Sequence, residues 1–474
     1  MNTQNLDVHY FICKADPDAA QHRPGVAGLL RNQERIVMKN VTKITRRNFV
    51  KSTAAIGTLT ILPSGLLANP PSGKLTYGLV GCGGNGGGTT KSMMSHRKLQ
   101  VVALCDPDKR QMTKCGKKIG AKAKSPALFQ DYREMLAKMG DKLDAIAVST
   151  PDHNHHPVTL DAMKKGKHVY TQKPLTNRIS HARELKKVAD ETGVVNRMGI
   201  QLHSSVGNRS VGHYLRSGVI GKIKKVYVWS PKKWGDDSAT RSPEVAVPDG
   251  MDWALWLGNA PKQGYRKGIH PSRWRCYLDF GAGTLGDMGV HIFDTPFKAL
   301  GLTYPNWVKT TCRKSNGFGH PTANTVEYSF SESKYTAKDF RFTWFDGTHA
   351  QTKKIPELKL PSGARFPGQG AVYVGEKGCI LHPHMSGPMF FPDSVKQSVA
   401  KAGKPDIKPM DHYHDWIDAC LAGKPSTHAD FTYAAALTET VLLGVVGNRF
   451  PGQKLEWDSK NMKCTNIPEA NKLV

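Results

Sequence analysis

Gly81-Cys82-Gly83-Gly84-Asn85-Gly86 follows an apolar run, Leu75 to Val80, and precedes a proline-free stretch, Thr89 to Arg97. Strand, glycine turn and helix in that order are what a dinucleotide pyrophosphate requires. Gly81 permits the tight turn, Gly83 lets the backbone approach the phosphates, and Gly86 lets the helix start lie close to the strand. Gly84 and Asn85 complete the turn, and the free N–H groups of the helix then face the anion. A second strand-like run, Leu99 to Cys105, ends in Asp106, 20 residues past Gly86. A carboxylate there accepts the adenosine ribose hydroxyls and repels a 2′-phosphate, so NAD is expected. Lys109 and Arg110 lie close enough to keep NADP open.

Outward from this turn, strand-like runs at 75–80, 99–105, 143–149, 167–171 and 194–199 alternate with helix-like runs at 87–96, 108–119, 131–139, 155–165 and 179–192. The alternation predicts a doubly wound parallel sheet whose ligand loops gather at the strand C-termini. Ser149-Thr150-Pro151 and Gln172-Lys173-Pro174 fall at two such ends. Beyond Gly199 the runs resemble antiparallel strands, at 223–229, 307–312, 325–330, 340–345 and 371–374, with closing helices near 411–422 and 430–446. The expected fold is α/β: an N-terminal Rossmann domain over 69–198 and a C-terminal α+β domain over 199–474 with a large, mostly antiparallel open sheet. Gly166, Gly193 and Gly423 stand where helix C-caps belong. Met462 to Val474 reads as a loosely ordered tail.

Composition narrows the function classes. Formal net charge is +28 on 474 residues, +23 of it beyond residue 68. The excess is scattered in pairs such as Lys117-Lys118, Lys224-Lys225 and Lys232-Lys233, which read as solvated surface. No arginine-rich arm or aromatic-basic repeat points to nucleic acid. Nine cysteines show no Cys-x-x-Cys pair or zinc spacing, so buried free thiols are expected. No metal site is expected either, because His412-x-His414-Asp415 lacks a third ligand nearby.

The first 68 residues read as an N-terminal extension and an export address. Thr45-Arg46-Arg47-Asn48-Phe49-Val50-Lys51 resembles a twin-arginine signal. The apolar run after it, Ala54 to Leu67, is too short and too interrupted by Gly57, Pro63 and Gly65 for a membrane span. Cleavage is expected before Asn69, translation from Met38, and the mature protein in the periplasm or otherwise exported.

Several motifs beyond the glycine turn act together. They are Thr150-Pro151-Asp152-His153-Asn154-His155, Gly166-Lys167-His168-Val169, Gln172-Lys173-Pro174, Trp274-Arg275 and the run from Asp279 to Asp294. In combination they closely resemble the Gfo/Idh/MocA family, named after glucose–fructose oxidoreductase and inositol 2-dehydrogenase. The likeness runs from about Lys74 to Trp457-Asp458, some four-fifths of the chain. It implies a nicotinamide cofactor between a Rossmann domain and a sheet-based substrate domain.

The family's catalytic lysine maps onto Lys173. Gln172 stands where the family usually has Glu, which removes a negative charge beside the lysine. Asp287 and His291 match the family's Asp-x-x-x-His and, at i and i+4, share one helix face. The resemblance makes His291 the acid/base, Lys173 the group that polarises the substrate oxygen, and Asp287 a positioning group for both sugar and lysine. Thr150, Pro151 and His155 match positions around the cofactor. Gln201, Trp274 and Arg275 are expected near the substrate. His153, His156 and His320 carry no such motif and are expected to pack.

The expected activity is hydride transfer at a secondary alcohol or carbonyl of a sugar, cyclitol or glycoside. Export separates the enzyme from the cytoplasmic nucleotide pool, so a tightly held cofactor is expected. One alternative is a redox-neutral glycoside hydrolase or epimerase working through a transient keto-sugar. Another is a non-catalytic carbohydrate-binding protein that retains the nucleotide. The partners expected are a small carbohydrate and further copies of the chain, in a dimer or tetramer.

Overall fold

The computed structural model describes residues 73–120, 125–350, 355, 357, 358, 366–426 and 428–474. The twin-arginine segment, Met38 and the proposed cleavage site lie outside the described residues.

Strands Leu75–Val80 (β1), Leu99–Cys105 (β2), Ala127–Phe129 (β3), Ala145–Val148 (β4), His168–Gln172 (β5) and Asn196–Gly199 (β6) form one parallel sheet in the order β3-β2-β1-β4-β5-β6. That is the Rossmann order, reversing between β1 and β4. Helices Asn85–Met93 (α1), Lys109–Ile119 (α2), Tyr132–Met139 (α3), His155–Lys164 (α4) and Ile179–Thr192 (α5) lie between these strands in the chain. Strands β4 and β5 are buried at every residue, as expected of strands covered on both faces. Sequence reading missed β3, whose three residues are too few to make a pattern.

The second sheet has nine strands. They are Ile223–Ser230 (β7), Pro305–Thr311 (β8), Thr325–Phe330 (β9), Thr336–Asp346 (β10), Gly370–Gly375 (β11), Cys379–Pro383 (β12), Met389–Phe391 (β13), Lys454–Asp458 (β14) and Lys463–Cys464 (β15), in the order β13-β12-β11-β7-β10-β9-β8-β14-β15. Among the described strands the β7–β10 pair is parallel and the other pairs are antiparallel. Burial alternates along β9, so one face packs and the other does not. Strands β12 to β15 went unread because they are short and lack a long alternating pattern.

Helices Val206–Arg216 (α6), Trp253–Leu257 (α7), Val290–Ala299 (α8), Asp393–Ala402 (α9), His412–Ala422 (α10) and Phe431–Gly447 (α11) complete the fold. Helix α11 is buried nearly all round, which its apolar sequence requires. It packs on α5, β8 and α8. Its Glu439 is fully buried, paired with Arg183 of α5 at 2.5 and 2.9 Å and bonded by Trp457 Nε1 at 3.0 Å.

Helix α10 returns to the first sheet. Its Trp416, Ile417 and Cys420 share a core with Leu75, Tyr77, Leu79 and Tyr170. Arg197 of β6, fully buried, clamps it by bonding the His412 carbonyl at 2.8 Å and pairing with Asp415. The C-terminal segment is tied down rather than loose. The Val474 carbonyl accepts from Ser180 Oγ at 3.0 Å, and Asn471 bonds both backbone groups of Cys464. Gly193 and Gly423 cap their helices in left-handed conformations, φ 64° and 60°. Among the described residues no helix is long and apolar enough to cross a membrane.

Candidate active site

The glycine turn follows β1 and opens α1 as the spacing predicts, with α1 starting at Asn85 rather than residue 87. Gly81 holds φ 92°, and a Cβ there would sit 2.5 Å from the Ser149 carbonyl carbon. A Cβ on Gly86 would overlap the Gly81 carbonyl oxygen. Gly84, also at positive φ, faces open space, and Gly83 meets only Gln111 at 3.5 Å or beyond. The outer glycines therefore serve packing, and the middle ones leave room for a ligand.

Helix α1 has no side-chain N-cap and no acid in its first turn. Helices α2, α3, α6, α10 and α11 each have a capping Asp or Ser. A pyrophosphate fits those free N–H groups. Asp106 sits at the end of β2, its carboxylate taking the Cys82 N–H at 2.8 Å and the Asp108 N–H at 2.9 Å. Burial raises its pKa to about 6.

A cavity of about 340 Å³ runs from the glycine turn to the lysine loop. It is lined by Gly81, Gly83, Gly84, Asn85 and Asp106, by Thr150, Pro151 and His155 after β4, and by Lys173, Trp274 and Arg275. The residues fit a dinucleotide along its length. Gly86 does not line it, because its role is the strand–helix contact. His155 is buried between two carbonyls, Nδ1 2.7 Å from Pro174 O and Nε2 3.0 Å from Thr150 O, and so ties the two loops together. Burial lowers its pKa to about 4, leaving a neutral ring that donates to one of them at a time. The Lys173–Pro174 peptide is cis.

Gln172, beside the lysine, donates Nε2 to Thr89 Oγ1 of α1 at 3.1 Å. Its Oε1 is buried without a partner among the described residues.

Asp287 is the hub of the site. Lys173 Nζ lies 2.6 Å from its Oδ1 and 2.9 Å from its carbonyl oxygen. Trp234 Nε1 donates to Oδ2 at 3.0 Å, Lys232 Nζ stands 3.4 Å from Oδ2, and Arg275 Nε 3.3 Å from Oδ1. Burial opposes its charge, but Lys173, Arg275 and Lys232 outweigh it and hold the carboxyl far below the usual range. Asp287 sits in a π-helical turn, Leu285–Gly289, that runs into α8, not in the plain α-helix assumed from the spacing.

His291 is the second residue of α8, just beyond that turn. Burial, with Lys173 adding to it, pushes its pKa well below normal, so the ring is neutral. Its Nδ1 has no partner among the described residues, and the His384 ring lies 6.0 Å away. The Arg275 guanidinium stacks 4.1 Å above the Trp274 ring.

Of the residues expected at the substrate, Trp274 and Arg275 line the cavity, whereas Asp287, His291 and Gln201 do not. Gln201 begins a 3₁₀ turn after β6 and lies by the buried Tyr170 hydroxyl, away from the cavity lining. Four others went unassigned in the sequence. Lys232 and Trp234 follow β7, and the Lys232-Lys233 pair passed for solvated surface. His384 follows β12, a strand not read in the sequence. Asp152 is buried against the Ala282 N–H at 3.2 Å, and burial lifts its pKa to about 7. It stood in the quoted motif without a role.

The remaining histidines have local work. His153 and His320 bond backbone carbonyls. His412 bonds Ser204 and His414 bonds Ser95, so with Asp415 they diverge.

The cavity fits a dinucleotide and meets Asp287 through the lining residue Lys173, and sequence comparison agrees with a nucleotide-binding fold. Residues 75–200 match the Gfo/Idh/MocA oxidoreductase family's NAD-binding Rossmann fold, and residues 209–314 match its C-terminal alpha/beta domain. Residues 75–200 and 209–314 thus resemble the two domains of that family. A glycosyl hydrolase family 109 protein of Solibacter usitatus is 32% identical over 162 residues, 32% of this chain and 36% of the relative. An inositol 2-dehydrogenase of Rubrobacter xylanophilus is 26% identical over 154 residues, 32% of this chain and 42% of the relative. These alignments span well under half the length of the curated relatives. The WlbA dehydrogenase of Bordetella pertussis, solved with NADH and UDP-GlcNAcA, superposes with a TM-score of 0.56 at 16% identity, over 81% of this chain and 98% of that one. That likeness is one of fold.

Proposed function

We propose that this protein is an NAD-dependent enzyme acting at a secondary alcohol or carbonyl carbon of a sugar, cyclitol or glycoside. The observation that carries the reading is the 2.6 Å pair between Asp287 and Lys173, which lines the nucleotide cavity, with neutral His291 close enough to feel both charges. A bound nicotinamide supplies the hydride acceptor or donor. The protein's own groups handle the proton and the oxygen. His291, a neutral ring, accepts the hydroxyl proton as the carbonyl forms. Lys173 hydrogen-bonds that oxygen, and ionised Asp287 fixes the lysine's position. Trp274, buried and stacked under the Arg275 guanidinium, holds that group at the cavity wall, where it reaches hydroxyl or acidic substituents.

A second reading, redox-neutral glycoside cleavage through a transient keto-sugar, is favoured by the relatives named glycosyl hydrolase family 109 protein. Gln172 in place of the family's Glu supports it too. The twin-arginine-like segment supports export to the periplasm, where a cofactor retained through each cycle meets the lack of a soluble nucleotide pool. Assembly into a dimer or tetramer follows the family resemblance.

The test is to extract and identify the nucleotide from purified protein, then add a panel of free sugars and aryl glycosides. Reduced nicotinamide appearing with a free sugar supports hydride transfer from the sugar to NAD, with release of the oxidised sugar. Glycoside cleavage that needs NAD but accumulates no reduced cofactor supports the second reading. Neither change, with nucleotide bound, would refute both.

A further inference from the structure

A second cavity, of about 240 Å³, lies between α6 and α8 and shares no residue with the nucleotide cavity. Its lining is strongly basic, with Arg209, His213 and Arg216 from α6, Lys298 from α8, and His203 and His428 from loops. Its single lining carboxylate, Asp294, is already engaged. His203 Nδ1 donates to Asp294 Oδ1 at 2.7 Å, and the Tyr433 hydroxyl donates to the same oxygen at 2.6 Å. Lys298 Nζ donates to His203 Nε2 at 2.7 Å, which leaves its charge without a direct counter-ion.

Among the described residues no carboxylate lies within ion-pair distance of Arg209, Arg216 or Lys298. Arg209 is tethered by the Lys408 carbonyl at 2.6 Å. The helix dipole favours Arg216 in the last turn of α6, but it disfavours Arg209 in the first. Two more lining residues carry buried side-chain atoms with no partner, Thr295 Oγ1 and His428 Nδ1. Thr295 itself is 6% exposed. The basic groups also act on one another. Lys298 is held below its ordinary pKa by burial and then by Arg216 and Arg209, against Asp294 and Asp430. His428 is held down by burial and by Lys298. Several cations converging on a concave, anion-poor space with unused hydrogen-bonding atoms are matched by an oxyanion.

We propose that this cavity binds a phosphate or sulfate group, free or esterified to a small organic molecule, through Arg209, Arg216 and Lys298. The site is separate from the nucleotide phosphates. It shares α8 with the active site, since His291 lies at one end of that helix and Lys298 at the other.

The experiment is calorimetric titration of the full chain, saturated with NAD so that the nucleotide site is filled. The titrants are sodium sulfate and glucose 6-phosphate, each against sodium chloride at equal ionic strength. Expected is a saturable site that Arg216→Gln and Lys298→Met each weaken at least tenfold, with nucleotide content unchanged. Arg216→Gln guards against a folding defect, because its guanidinium makes no ion pair among the described residues. Tighter binding of the ester identifies an esterified ligand, and equal binding a free oxyanion. No heat above the chloride control, or wild-type affinity in both variants, overturns the proposal.

Discussion

Lys173→Met tests the proposed chemistry at its centre. The substitution keeps the length of the side chain and removes its charge and its proton. Lys173 is nearly buried, with 12% of its side chain exposed, and its ammonium is the closest partner of Asp287. A buried carboxylate stripped of its sole partner costs about 3–5 kcal/mol. Asp287 keeps Trp234 at 3.0 Å, Arg275 at 3.3 Å and Lys232 at 3.4 Å, so the stability loss should stay below that range. Turnover should suffer more. Loss of one charged donor to the reacting oxygen costs roughly 10²- to 10³-fold, or about 2.7–4 kcal/mol of barrier. The assay is single-turnover cleavage or oxidation of the substrate found in the panel, with bound nucleotide quantified in the same sample. Lys173→Arg separates two roles, because arginine keeps the charge beside Asp287 but does not give up a proton. Turnover within threefold of wild type in Lys173→Met, with nucleotide still bound, would refute the catalytic assignment. Recovery of activity in Lys173→Arg would leave only an electrostatic role.

Gly86→Ala forces a Cβ into the Gly81 carbonyl and should cost about 1–3 kcal/mol through overpacking; equilibrium unfolding and nucleotide content measure it. Arg183→Met leaves buried Glu439 with Trp457 alone and should destabilise by about 3–5 kcal/mol in urea unfolding. Asp106, with its pKa raised to about 6, must be ionised to accept ribose hydroxyls, so NAD affinity should be full above about pH 7 and fall towards tenfold per pH unit below 6. In the nucleotide-free protein the sign reverses. A carboxyl with a raised folded-state pKa contributes stability at pH below its unfolded value, and that contribution is lost as pH rises through 6. Asp106→Asn should flatten both profiles. Asp152→Asn should remove an inflection near pH 7 from the pH–rate profile, since burial places that group's titration there.

The Rossmann half was legible because its signals are local. A glycine turn between an apolar run and a helix, and apolar strands bounded by caps, declare themselves over ten or so residues. The cluster on Asp287 was legible only in part. Lys173 and His291 came from motifs, whereas Lys232, Trp234 and His384 reach the site from strands whose pairing is set by tertiary contacts. No spacing links Lys232 to Asp287, 55 residues away. The π-helical turn was also hidden, because the sequence of a helix does not reveal where one residue is inserted. Gln201 failed for the opposite reason: it sits at a strand end, as ligand residues do, yet turns beside Tyr170.

Helix α10 carries a consequence for the order of events during synthesis. The first sheet begins at residue 75, but the side chains that seal its outer face, Trp416, Ile417 and Cys420, emerge from the ribosome some 340 residues later. Until then Leu75, Tyr77 and Leu79 lack part of their cover, and Arg197 lacks its carboxylate. The nucleotide-binding half therefore lacks this part of its cover while the chain grows. Completion of its core waits for nearly the last tenth of translation, and a chain cut short before α10 is exposed to aggregation along that face.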